Sequence, residues 1–133
     1  MLNKLTLRQA KDGLAGKEFS SVELTKTCLD RIKETDERLN AFVTLSEEGA
    51  LIQAREADKK LASGDYLPLL GIPIAVKDNF STLGIRTTAS SLVLDEYTPP
   101  FDATVVKKLY EAGAVIIGKT NMDAWAHGSS TET

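Results

Sequence analysis

Two short apolar runs, each ending abruptly in polar residues, constrain this chain more than anything else in it. The first, LLGIPIAV (69–76), is followed by Lys77, Asp78 and Asn79. The second, AVIIG (114–118), is followed by Lys119, Thr120 and Asn121. Both runs are continuous rather than alternating, the pattern of a strand covered on both faces in a parallel sheet. Between them lies ATVVKKLYEAG, with Asp102 as its N-cap, Val105, Val106, Leu109 and Ala112 facing inward, and Gly113 at its end. Strand, helix and strand make a βαβ unit, with parallel pairing and a right-handed crossover. Ligands of open α/β sheets bind outside the carboxyl ends of the strands. Both polar triplets fall at that edge, and hydroxyl-rich stretches recur nearby in TTASS (87–91) and GSST (128–131).

The first 64 residues read as helices. Thr6 with Gln9 forms a capping box ahead of a short helix that Gly13 and Gly16 bring to an end. Ser20 with Glu23 forms a second box, with Phe19 as a hydrophobic staple and Val22, Cys28, Leu29, Ile32 and Leu39 as a loose apolar stripe. Ser46 caps a third helix, Ala50, Leu51, Ala54, Ala57 and Leu61 form its buried face, and Gly64 closes it. The chain therefore divides into a helical N-terminal segment, 1–64, and the first part of an α/β core, 65–133. NMDAWAH begins a further short helix, and GSSTET reads as a loop. Two or three parallel strands cannot be covered on both faces by the helices present. The expectation is the N-terminal part of a larger α/β protein, starting at an authentic Met1 and cut after Thr133.

Composition excludes several classes. The net charge of −3 and sequence pI near 5.2 argue against a basic surface for nucleic-acid phosphates. They leave room for a partner subunit that holds the nucleic acid. The single cysteine, Cys28, forms no internal disulfide and fits a reducing compartment. No signal-peptide core is visible, and LPLLGIPIAV is too short and too rich in proline to span a bilayer. The cytosol is the expected location, or an organelle if a targeting segment is missing.

Lys77 has two readings. It is a strand-end lysine that reaches water or pairs with Asp78, or it is a catalytic base. An ammonium in a partly buried place is disfavoured, and a neutral amine takes a proton from a serine hydroxyl. Asp78 and Asn79 stand beside it to orient the amine. Lys119 poses the same choice, with the structural reading favoured. His127 is the only histidine, so a metal site is not expected, and it reads as a capping or packing residue. Trp125 is expected in the core or an interface. Ser129 and Ser130 can line an anion or acyl pocket.

LLGIPIAVKDNFSTLGIRTTASS, PPFDATVVKKLYEAGAVIIGKTNMD and GSSTET together resemble the amidase signature family. Within it they are most similar to the A subunits of aspartyl/glutamyl-tRNA amidotransferases. The resemblance implies a mixed, largely parallel sheet covered by helices, incomplete in this chain. It implies a serine–serine–lysine triad with Lys77 as its lysine and both serines in glycine-rich segments that this chain lacks. It places Gly128, Ser129 and Ser130 on a loop that approaches the substrate. It implies hydrolysis of glutamine through a glutamyl-enzyme. The ammonia passes to a B subunit that uses ATP and magnesium to amidate Glu-tRNA(Gln) or Asp-tRNA(Asn), with a C subunit bracing the complex. No cofactor is expected in this chain itself. The resemblance breaks at Trp125, Ala126 and His127, where members commonly carry Phe-Ala-Met; substrate contact there would favour other amides over glutamine.

The resemblance thus implies a portion of a glutaminase subunit, inactive alone because triad members act as a unit. Alternatives are a general amidase for small amides, a non-catalytic interaction domain with a vestigial Lys77, and a Ser-Lys dyad built from Ser129 or Ser130.

Overall fold

The computed structural model describes residues 1–131. Four helices, α1 (Leu7–Ala15), α2 (Ser21–Leu39), α3 (Glu47–Ser63) and α4 (Thr104–Glu111), pack around three strands, β1 (Phe42–Leu45), β2 (Pro73–Lys77) and β3 (Val115–Thr120). The sheet order is β1-β3-β2. β2 pairs with β3 in parallel, whereas β1 pairs with β3 antiparallel. The fold is α/β with a small mixed sheet.

Local chemistry sets the helix starts. Thr6 Oγ1 accepts from the Gln9 amide at 3.3 Å, and the Gln9 side chain accepts from the Thr6 amide at 2.9 Å. Ser20 and Glu23 exchange the same bonds at 3.1 and 2.8 Å. These reciprocal bonds satisfy amides that a helix leaves free at its start. Phe19 packs against the cluster of Ala10, Leu14, Leu24 and Ile72, as a staple should. Gly64 closes α3 in the left-handed conformation.

Several elements depart from the sequence reading. Gly13 does not stop α1; the helix runs through it to Gly16. A Cβ at Gly13 would lie 2.4 Å from Phe19 Cε1, so its role is close packing. Leu39 is exposed at the last turn of α2, while Leu24 and Thr25 are buried instead. Ser46 occupies the N-cap of α3 but makes no side-chain cap bond. Asp102 does not cap α4: its Oδ1 accepts the Leu83 amide at 2.7 Å, and Ala103 takes the N-cap. Val105 is exposed and Val106 alone is fully buried on α4. The eight-residue run 69–76 yields only four of the five residues of β2, Pro73 to Val76. Its first half is a turn, with the Ile72 amide bonded to Leu69 O at 3.0 Å and Gly71 at φ 77°. NMDAWAH forms only a 3₁₀ turn, Ala124–Ala126, with Trp125 at φ 54°.

β1 lies inside the stretch read as helical. Its four residues are too few to show a period, and its bonds go to β3, far later in the chain, with Phe42 opposite Thr120. Asn40 turns the chain into it in the left-handed conformation. The Asp36 carboxylate accepts the Ala41 and Phe42 amides at 2.8 and 3.3 Å.

The sheet is covered on both faces along β3. Val115 and Ile117 pack with Leu29, Ala50 and Ala54 of α2 and α3. Ile116 packs with Val76 and Val106, on the α4 side. Residues from 1–64 and 65–133 thus share one core. Ala50 and Ala54 of α3 let that helix approach β3 closely, since small side chains shorten the distance between packed elements. An Ile116→Ala change is expected to cost about 2–5 kcal/mol through the cavity it leaves. Val105→Ala should stay within about 0.5 kcal/mol. Urea unfolding midpoints of the two variants check the contrast.

Candidate active site

The two strand-end lysines occupy nearly equivalent positions and meet opposite fates. Lys77 pairs with Thr120, and Val76 pairs with Lys119, across the parallel ladder. Lys77 ends β2, which has one strand neighbour among the described residues, and is exposed. Its ammonium makes no hydrogen bond or ion pair among the described residues, so the partly buried setting expected for it is not formed by these residues. Lys119 ends the central strand β3 and is 0% exposed.

Lys119 is fully partnered. Its Nζ donates to Phe80 O at 2.7 Å and to Thr87 Oγ1 at 2.6 Å, and stands 3.7 Å from Asp78 Oδ1. Burial pushes its pKa below the usual lysine range, and the Asp78 carboxylate opposes that shift. Asp78 is also 0% exposed. It was expected to orient Lys77, but its carboxylate turns inward instead. Oδ2 accepts Thr88 Oγ1 at 2.5 Å, the Thr88 amide at 3.1 Å and the Ser90 amide at 3.4 Å. Oδ1 has no hydrogen-bond donor and faces only Lys119.

That carboxylate holds a strained loop. Ala89 and Ser90 both lie in the left-handed region, at φ 51° and 50°. Such conformations cost about 1–3 kcal/mol per non-glycine residue and persist only where surrounding bonds enforce them. The enforcing bonds are those from Asp78, together with Ala89 N to Asp78 O at 3.0 Å. Ser90 Oγ donates to Asn121 Oδ1 at 2.9 Å, and Asn121 Nδ2 donates to Asn40 O at 3.1 Å. Arg86, on the same connection, pairs with Asp95 and donates to Thr44 Oγ1 of β1 at 3.2 Å. The loop is therefore tied to the ends of all three strands.

The GSST segment reaches this edge indirectly. The Trp125 amide donates to Ala89 O at 3.1 Å, and the Thr131 amide donates to Asp123 Oδ1 at 2.7 Å. Gly128, Ser129 and Ser130 are exposed, as is His127. Trp125 is half exposed and not in the core. The last two residues of GSSTET lie outside the described residues. A cleft of about 420 Å³ between Leu14, Phe19, Asp58 and Leu61 lies among the helices and carries none of the strand-end groups. A second, of about 340 Å³, is lined by Arg86, Thr88, Ser90, Asp95 and Asn121. It adjoins the loop that Asp78 holds. Among the described residues no three of His, Cys, Asp or Glu cluster as metal ligands, and no helix is long and apolar enough to cross a membrane.

A mixed sheet under two helical layers, with lysines, hydroxyls and amides gathered at the strands' carboxyl edge, belongs to a known class. Residues 23–133 match the Amidase family model, and the chain belongs to the amidase family. The A subunit of the glutamyl-tRNA(Gln) amidotransferase from Pseudomonas entomophila is 54% identical over 132 residues, covering 99% of this chain and 27% of that protein. The peptide amidase of Stenotrophomonas maltophilia matches with a TM-score of 0.88 at 36% identity, over 93% of this chain and 26% of that one. The A subunit of the glutamyl-tRNA(Gln) amidotransferase from Thermotoga maritima matches with a TM-score of 0.72 at 35% identity, over 99% of this chain and 26% of that one. This chain thus spans about a quarter of the length of the relatives it matches.

Lys119→Met alone leaves Asp78 buried without its countercharge and is expected to cost about 3–5 kcal/mol. The double change Asp78→Asn with Lys119→Met should recover most of that loss. Lys119 also contributes a pH dependence. Its folded pKa lies below the unfolded value of 10.5, so in that window the unfolded chain binds more protons. Its contribution to stability therefore rises with pH from the lowered pKa toward 10.5. Thermal unfolding between neutral and alkaline pH should show this rise in the parent and not in the double variant.

Proposed function

We propose that this chain is the N-terminal portion of the glutamine-hydrolysing A subunit of a tRNA-dependent amidotransferase, with Lys77 as its catalytic base. The observation that carries the reading is the 54% identity, over 99% of this chain, to the A subunit of a glutamyl-tRNA(Gln) amidotransferase. Lys77 stands at the carboxyl end of β2, exposed and without a partner among the described residues, so the partly buried setting that a lysine base needs has to come from the rest of the protein. The high identity to A subunits supports glutamine as the substrate.

In this reading the Lys77 amine takes the proton of a bridging serine hydroxyl. That serine takes the proton of the nucleophilic serine, whose oxygen bonds to the side-chain amide carbon of glutamine. The C–N bond breaks, the proton returns to the leaving nitrogen, and ammonia departs. Water then cleaves the glutamyl ester, releasing glutamate and restoring both serines. This chain spans 27% of the A subunit it matches, and in this reading both serines belong to the remainder, so these 133 residues alone should release no ammonia. Gly128, Ser129 and Ser130 border the substrate on the side of Ala89 and Trp125. The ammonia passes to a B subunit, where ATP and magnesium activate Glu-tRNA(Gln) or Asp-tRNA(Asn), and a C subunit braces the assembly. The complex works in the cytoplasm.

The similarity to a peptide amidase favours a second reading, an amidase for other amides without tRNA. Two measurements on the full-length protein decide between them. Glutamine hydrolysis should be abolished by Lys77→Ala, and B and C subunits should co-purify with the parent. Hydrolysis of small amides without bound subunits would establish the second reading. Full glutaminase activity in Lys77→Ala would remove the lysine from the mechanism.

A further inference from the structure

We infer that the buried Asp78–Lys119 pair, with Thr87 and Thr88, is the positioning device that fixes the amine of Lys77; the inference rests on the reading of Lys77 as the base. Among the described residues the Lys77 amine is exposed and has no partner at the end of β2. An amine at such a position wanders unless its main chain is held beyond the strand end. Two bonds hold it there: Asp78 N to Thr120 O at 3.1 Å, and Phe80 N to Lys77 O at 3.1 Å, which closes a turn over 77–80.

The buried pair anchors that turn from beneath. Lys119 Nζ binds the turn's last carbonyl, Phe80 O, at 2.7 Å. Asp78, inside the turn, binds the 88–90 loop through its carboxylate and its carbonyl. Thr87 ties the opposite end of the same loop to Lys119 at 2.6 Å. The pair thus joins the turn that carries Lys77 to the loop that carries Ser90 and, through Ala89 O, the Trp125 amide.

Lys119 and Asp78 cannot touch substrate, since both are 0% exposed. Nor is stability by itself a sufficient reason for them. Apolar residues of similar volume commonly do as well or better than a buried ion pair. What the pair supplies is one arrangement of turn and loop, enforced against the left-handed strain at Ala89 and Ser90.

The test uses the full-length enzyme with its partner subunits, assayed for glutamine hydrolysis and for thermal unfolding. Thr88→Val removes the hydroxyl that Asp78 binds while keeping the side chain's shape. It should lower kcat by about 10–100-fold with KM nearly unchanged, the scale of a base displaced by about 1 Å, and lower the unfolding temperature by a few degrees, leaving the enzyme folded in the assay. Thr88→Ser, which restores the hydroxyl, should recover most of kcat. Asp78→Asn with Lys119→Met gives a second route, and should also fold while losing kcat. If both variants fold and turn over at the parental kcat while Lys77→Ala is inactive, the pair is only structural and the inference is overturned. If Lys77→Ala retains activity, the reading of Lys77 as the base fails, and the inference fails with it.

Discussion

The parallel pairing of β2 with β3 decides where every chemically useful group of this chain lies. It sets Lys77 beside Thr120 and Val76 beside Lys119, so two polar strand ends meet at one edge. The helices cover β3 along its length, leaving that strand's termini as the places where polar groups surface. The register shift between Ile74 and Ala75 matters as well. Irregularities of this kind re-aim side chains. Here Val115 and Ile117 share one cluster, while Lys119 beyond the shift reaches the connection that follows β2.

The same residue type at two adjacent strand ends shows how position in the sheet sets chemistry. A lysine at the end of the central strand is enclosed by its neighbours and must find partners, because an unpaired buried charge is prohibitively unfavourable. Lys119 finds a carbonyl, a hydroxyl and a carboxylate. The lysine at the end of β2, a strand with one neighbour among the described residues, is exposed instead. The connection 78–103 has little regular structure, yet Asp78 and Asp102 accept its own amides at Thr88 and Leu83, and Arg86 ties it to Thr44 of β1.

Membership of the amidase family places this chain beside proteins whose names describe different substrates, a peptide amidase and a tRNA amidotransferase component. One framework therefore serves several amides, as expected when function resides in sites grafted onto a shared fold. The segment Asp123–Thr131 hangs from Ala89 by the Trp125 amide.

The sequence by itself determined what depends on neighbours three or four residues apart. The capping boxes at Thr6 and Ser20, the glycine stop at Gly64, the alanine face of α3 and the two strands β2 and β3 were all legible for that reason. So was the prominence of Lys77 at a strand's carboxyl end. Tertiary structure alone decided which groups met across long separations. Phe42–Leu45 becomes a strand only because β3 lies ready to pair with it. Asp102 abandons α4 for the Leu83 amide, and Asp78 turns from Lys77 toward Thr88 and Lys119. A carboxylate goes where the nearest unsatisfied donors are, and in a folded chain those donors are set by packing, which no local pattern of residues records.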